Sequence, residues 1–254
     1  MKRYLFAAVF AAVPFAAPAA SVDLTDWIEN GHPNNSAGTW VVQSGNDSVR
    51  QTINGAPTVF FNPNVTSTQG TLLAGEITAG PVSDDDFIGF VLGYSPNEIN
   101  SASADFWLVD WKQGNQSGQT AGLALSHVSG DLSGGLNTGV SGPWWQHDAP
   151  ITEVARGTSL GTTGYNQGET YEFELVFQPS LIQVKVNGTT EISYSGSFTD
   201  GSFGFYNFSM ANVLYAGITE DVAPPVSAVP LPATLPMVLA GLGALGLVRR
   251  RKRS

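Results

Sequence analysis

"TYEFELVFQPSLIQVKVNGTTEISY", residues 170–194, alternates apolar and polar side chains with a period of two. Tyr171, Phe173, Leu175 and Phe177 fall on one side of an extended chain, and Glu172 and Glu174 on the other. Ile182, Val184 and Val186 then alternate with Gln183 and Lys185. Asn187-Gly188 supplies a two-residue hairpin turn before Ile192 and Tyr194 resume the pattern. Similar short runs lie on either side: "TWVVQ" (39–43), "TVFF" (58–61), "TLLAGEI" (71–77), "FIGFVLGY" (87–94), "FWLVDWKQ" (106–113), "AGLALSHV" (121–128), "SFGFYNF" (202–208) and "NVLYAGI" (212–218). Turn clusters rich in Gly, Asn, Ser and Asp separate them, and no stretch between Ser21 and Val222 has helical periodicity. About a dozen strands at this spacing predict an all-β domain, a two-sheet antiparallel sandwich of jelly-roll type. The Gly-rich segment 130–150, "GDLSGGLNTGVSGPWWQHDAP", reads as a long surface loop.

Both ends of the chain differ from this pattern. Residues 1–20 have a basic start, Lys2 and Arg3, then an Ala-rich apolar stretch and the small-x-small site Ala17-Pro18-Ala19, the pattern of a secretory signal peptide. The sandwich is expected over 21–222, followed by a Pro-rich linker over 223–234, an apolar anchor helix over 235–248 and a basic cytoplasmic tail over 249–254. Fourteen helical residues reach roughly 21 Å, short of the roughly 30 Å hydrocarbon core, so the run suits a tether better than a permanent span. The basic tail stays on the cytoplasmic side and holds the domain outside.

With those ends set aside, Arg50, Lys112, Arg156 and Lys185 are the cations left against all 21 Asp and Glu. Four scattered cations build no basic patch, which excludes nucleic acid and anionic lipid as partners of the domain. An exported chain without cysteine has no disulfides, and a domain of about 200 residues buries enough apolar surface to fold without them.

The signals for catalysis are weak. Gly157-Thr158-Ser159-Leu160-Gly161 matches G-x-S-x-G, but no helix-forming segment follows to build a nucleophile elbow. Glu172 and Glu174 share a strand face, as the carboxylates of β-sandwich glycoside hydrolases do, without a third acid in the run. His32, His127 and His147 are isolated in sequence and fit no zinc motif. Trp144 and Trp145 are suited either to stacking on sugar rings, as ligand-binding residues, or to plugging one end of the sandwich. Asp84, Asp85 and Asp86 crowd three charges before an apolar strand. That crowding is explained by a solvated acidic turn or by a hard cation such as calcium, with Asp84 and Asp86 on one side of an extended backbone and Asp85 on the other.

Two resemblances bear on these alternatives. Val229-Pro230-Leu231-Pro232-Ala233, then a Gly-rich apolar run and a terminal Arg cluster, resembles the VPLPA variety of PEP-CTERM sorting signal. That likeness implies an exosortase-type processing enzyme as partner, a transient hold at the inner membrane, and delivery to the surface or matrix of a Gram-negative bacterium. "DDDFIGFVLGY" with "DFWLVDWKQGNQ" resembles the C-terminal, L-type-lectin-like domain of thrombospondins, and "TWVVQSGNDSVRQTING", "AGLAL" and the closing strands follow in matching order. This second likeness covers roughly 39–218. It implies a concanavalin-like sandwich, Ca2+ as cofactor at Asp84, Asp85 and Asp86, no catalysis, and contact with extracellular polysaccharide or matrix protein.

The chain departs from that family in lacking cysteines and the preceding calcium-binding repeats. It also carries Asp110 where an apolar residue is usual, and an inserted "SPNEINSASA" (95–104) expected to lengthen a loop near the acidic cluster. The function expected is a non-catalytic adhesion or matrix module. The alternatives are a polysaccharide-cleaving enzyme using Glu172 and Glu174, and a structural matrix protein without a specific ligand.

Overall fold

The computed structural model describes residues 19–82 and 84–225. The chain forms one compact unit through Ala223, and a second from Pro224 onward of which only two residues are described. In chain order the strands of the first unit are β1 (Ala20–Ser21), β2 (Ile28–Gly31), β3 (Trp40–Val42), β4 (Val49–Gln51), β5 (Thr58–Phe61), β6 (Thr71–Ala79), β7 (Phe87–Tyr94) and β8 (Ala104–Lys112). Then come β9 (Gly122–Gly130), one short helix α1 (Pro143–Gln146), β10 (Ile151–Arg156), β11 (Thr170–Gln178), β12 (Leu181–Val186), β13 (Thr189–Ser195), β14 (Ser202–Phe208) and β15 (Val213–Val222).

Two antiparallel sheets stack, as the alternation predicts. Among the described residues one has eight strands, ordered β13-β12-β11-β6-β15-β4-β3 with β1 also on β15, and the other seven, ordered β10-β9-β8-β7-β14-β5-β2. The hairpin at 187–188 is the expected one. Asn187 and Gly188 both have positive φ, 48° and 74°, which matches the twist of the flanking strands. The core between the sheets is aromatic: Phe90 lies 4.4 Å from Phe173, and Phe205 stacks on Tyr215 at 4.7 Å, measured between ring centroids.

The outer face of the seven-stranded sheet departs from the sequence reading. Strands β7 and β14 are buried along their whole length, so both of their faces are covered. Ile88, Phe90 and Leu92 enter the inter-sheet core, whereas Phe87 and Val91 enter a second apolar cluster with Tyr206, Phe208, Trp144 and Trp145. The cover is the segment 131–150. It was expected as a surface loop, and instead it straps the sheet and buries its own Leu132, Trp144 and Trp145. Its Gly-rich composition hid this because three large side chains carry the packing.

Gly89 sits on that strapped face, where a Cβ would meet the carbonyl oxygen of Val109 at 2.0 Å and the Cα of Asp110 at 2.9 Å. Both are backbone atoms of the neighbouring strand and cannot swing aside. Gly89→Ala is therefore expected to cost about 3 kcal/mol or more, read as a lower denaturant midpoint with unchanged slope.

The predicted signal peptide lies outside the described residues apart from its last two, and Ala20 is paired with Glu220 in β1. The motif Val229–Ala233, the anchor helix 235–248 and the basic tail also lie outside them. Among the described residues no helix is long and apolar enough to cross a membrane.

Candidate functional site

The acidic run stands at the entrance to β7, and the strand begins only at Phe87. The alternation expected to separate Asp85 from Asp84 and Asp86 therefore does not apply, and ligand oxygens from all three lie within 4.8 Å of one another. Lys112, the last residue of β8, is in register with Phe87 and reaches into the cluster. Its Nζ donates to Asp86 Oδ1 at 2.7 Å, to the Asp85 carbonyl at 3.3 Å and to Gln116 Oε1 at 3.2 Å, and it lies 3.9 Å from Asp85 Oδ1. It also stands 4.4 Å from the ring centre of Trp145 and 5.0 Å from that of Phe87. Lys112 is 1% exposed and Asp86 3%.

The strand mouth thus holds a cation of its own, an ammonium whose charge is matched to Asp86 and spread over two aromatic faces. Burial pushes the Asp86 carboxyl above the ordinary carboxylate range, and the Lys112 ammonium opposes that shift. Tyr165, itself buried, donates to the Asp86 carbonyl at 2.7 Å. Asp84 and Asp85 remain half-buried at the surface. Asp84 Oδ1 accepts the Asp85 N–H at 3.0 Å, and Asp84 Oδ2 accepts from the Asn54 amide. The donor set is all oxygen and fits a hard cation, resting on Asp84 and Asp85 because Asp86 is already paired. The inserted 95–104 segment is not near this cluster. It follows the opposite end of β7, roughly 25 Å along an eight-residue strand.

Two residues before Lys112 in β8, Asp110 points to the same outer face and is buried. Its partner is His147, which caps α1 in a left-handed conformation (φ 54°) and donates from Nε2 to Asp110 Oδ2 at 2.9 Å. Burial alone would pull the imidazole pKa down, but Asp110 and the more distant Glu153 outweigh it and hold it at about 9. His147 Nδ1 lies 3.6 Å from Glu153 Oε2, and Glu153 forms a two-point pair with Arg156 at 2.9 and 2.8 Å. The charges alternate along the line Asp110, His147, Glu153, Arg156. The acidic residue that breaks the expected apolar pattern at 110 is explained by a histidine 37 residues later. The sequence signal was Asp110 itself, with nothing to say which cation it wanted.

Trp144 and Trp145 are buried, 1% and 3% exposed, with Trp144 stacked on Tyr206 and Trp145 set edge-on against Phe87 and Phe208. Neither indole offers a face to a sugar ring, so a ligand-binding role by stacking does not hold in this arrangement. Packing is the reason: the two rings fill the gap between the strap and the sheet.

Ser159 donates its hydroxyl to Glu191 Oε1 at 2.5 Å, and Glu191 also accepts the N–H groups of Ser159 and Leu160. The G-x-S-x-G segment is therefore a loop pinned by one carboxylate. Glu172 and Glu174 project from the exposed face of the eight-stranded sheet. Glu174 is bound to Lys185 at 2.7 Å, and Glu172 sits opposite Glu76.

Comparison with known proteins agrees with this architecture. Residues 228–253 match the PEP-CTERM protein-sorting motif. Human thrombospondin-3 is 25% identical over 195 residues, and the mouse protein of the same name 24%, in each case across 70% of this chain. The chain spans about a fifth of the length of these relatives, 20%. Among solved structures, a carbohydrate binding module, CBM66 from Bacillus subtilis, superposes with a TM-score of 0.53 at 10% identity, covering 82% of this chain and 99% of the module. The exoplasmic/lumenal domain of VIP36, in a form bound to Ca2+ and Man3GlcNAc, superposes with a TM-score of 0.51 at 11% identity, covering 82% and 87%. The chain is thus a lectin-like sandwich similar in sequence to the C-terminal region of thrombospondins, followed by a PEP-CTERM sorting motif.

Proposed function

We propose that this protein is an exported, non-catalytic lectin-like module that holds extracellular polysaccharide or matrix protein at the cell surface. The observation that carries the reading is one chain joining a thrombospondin-like sandwich to a PEP-CTERM sorting motif. In this reading the sandwich spans 21–222, an exosortase-type enzyme acts at the tail around Val229–Ala233, and the run 235–248 tethers the chain until then. Deleting the gene is expected to reduce surface attachment and matrix retention. A deletion strain that attaches and aggregates like its parent would remove the adhesion role.

Calcium belongs to this proposal. Asp84 and Asp85 would hold it beside the Lys112–Asp86 pair, and the ion would supply charge neutralisation at the strand mouth. With calcium at 100 times its Kd the folded state gains about 2.7 kcal/mol, several degrees for a domain of this size. Melting the purified chain in EDTA and in millimolar calcium is expected to show that rise, and Asp84→Ala/Asp85→Ala to abolish it. Asp86 stays in place in this test, since removing it would strand Lys112. Equal melting points in both buffers would leave the aspartates as a solvated turn.

Support for a non-catalytic role comes from the partners of the would-be catalytic groups: Glu174 is tied to Lys185, and Ser159 to Glu191. Release of reducing ends from matrix glycans, abolished by Glu172→Gln, would instead establish the hydrolase.

A further inference from the structure

One open groove among the described residues is lined by hydrogen-bonding side chains and carries no Phe, Tyr or Trp. It lies at the β10 edge of the seven-stranded sheet, with a cavity volume of about 450 Å³. That is within the range of about 300–1,000 Å³ typical of small-ligand sites. It is lined by Gln119 and Thr120 from the segment after β8, Gln146 and His147 from the end of the strap, Glu153 and Arg156 from β10, and Thr162.

The walls are held in place. The 116–119 turn is closed by backbone hydrogen bonds in both directions between Gln116 and Gln119, at 3.0 and 2.9 Å. Gln146 donates to the carbonyls of Ser117 (2.8 Å) and Val140, which joins the strap to that turn. A ligand here meets groups already positioned, and so loses less affinity to ordering them.

The charged members are spent on one another. Arg156 gives Nε and Nη2 to the Glu153 carboxylate and Nη1 to the carbonyls of Ala121 and Gly161 at 3.2 and 2.8 Å. His147 is turned inward to Asp110 and touches the Gln119 amide at 3.3 Å. No cation is left over to meet a carboxylate, sulfate or phosphate. What the groove does offer is amides and hydroxyls. Those of Thr120 and Thr162 have no protein partner among the described residues, and both residues are exposed. Groups that donate and accept at adjacent points, without net charge and without a flat apolar face, complement a ring of vicinal hydroxyls.

We propose that this groove is a carbohydrate subsite that takes a neutral pyranose, gripped by its hydroxyls rather than stacked. The inference rests on the lectin-like reading above and gives it an address. Without stacking a single sugar is held weakly, with a Kd on the order of 1 mM, so useful retention comes from many sites along one polymer.

The test titrates methyl α-glucoside, methyl α-mannoside, methyl β-galactoside and sodium glucuronate into the purified full-length chain, with saturation-transfer NMR as readout. The same titrations use Thr120→Val/Thr162→Val, which leaves Gln119, the Asp110–His147 pair and Arg156 in place, and its melting point is checked alongside. At least one neutral glycoside is expected to bind and to weaken tenfold or more in the variant, with glucuronate no tighter. Neutral binding that the variant retains moves the sugar elsewhere and overturns the subsite while leaving the lectin reading standing. Glucuronate binding tenfold tighter than the neutral glycosides overturns the ligand class. Polysaccharide pull-down without any monosaccharide signal also defeats the subsite alone. If neither monosaccharide nor polysaccharide binds, the lectin reading falls with it.

Discussion

Lys112→Met is expected to destabilise the domain by about 3–5 kcal/mol, the usual cost of leaving a buried charge without its partner. At about 2–4 °C per kcal/mol for a domain of this length, the melting point falls by roughly 6–20 °C. Methionine fills nearly the same space beside Phe87 and Trp145 and gives up only the ammonium's charge over their rings. The Asp86 carboxylate, 2.7 Å from Nζ and 3% exposed, loses its counter-charge and is too deep to recover water. The loss should therefore be a loss of charge balance, and Lys112→Met/Asp86→Asn should regain most of it. A double variant no more stable than the single one would mean that lysine packs rather than neutralises.

The second large effect is a pH dependence set by His147. Its folded pKa is held at about 9, against an ordinary value of 6.5. A raised pKa means that the folded protein binds the proton more tightly than the unfolded chain. The stabilisation is fully present below pH 6.5, declines as pH rises from there towards 9, and is gone above it. A gap of this size is worth on the order of 3 kcal/mol. Denaturant unfolding at pH 6 and pH 9.5 measures the difference directly. The groups facing the imidazole are Asp110, Glu153 and the Gln119 amide, with Arg156 behind Glu153. Asp110→Asn/His147→Gln removes the titrating pair and is expected to flatten the profile over this range. A wild-type profile already flat between pH 6.5 and 9 would rule out a protonated, buried His147.

These two pairs also mark where sequence reading ran out. Strand alternation exposes the hairpin at 170–194 and the aromatic strands around it because each residue's side is decided by its immediate neighbours. The pairing of Lys112 with Asp86 joins residues 26 apart, and His147 with Asp110 residues 37 apart, so neither leaves a periodic trace. The continuous apolar character of "FIGFVLGY" and "SFGFYNF" did carry a signal. Strands with one wet face alternate, and these do not, because a strap covers the second face. That strap is 131–150, whose glycines read as loop while Leu132, Trp144 and Trp145 anchor it. The acidic run was legible as a cluster that wants a cation. That the chain supplies one itself, in the lysine of "WKQ", was not.

The pairing of β15 has a mechanical consequence. Near the end of the sandwich, β15 is flanked by β6 along one side and by β4 and then β1 along the other. Tension entering through the residues after Val222 runs along β15 between neighbours on both sides. The ladder bonds then share the load in shear and must yield together, instead of opening one at a time as at a sheet edge. The bulge between Ala216 and Thr219 bends β15 and interrupts its ladder with β6 at one point. A chain held by its C-terminal segment is thus gripped by an interior strand, and its edge strands β3 and β13 are spared the pull.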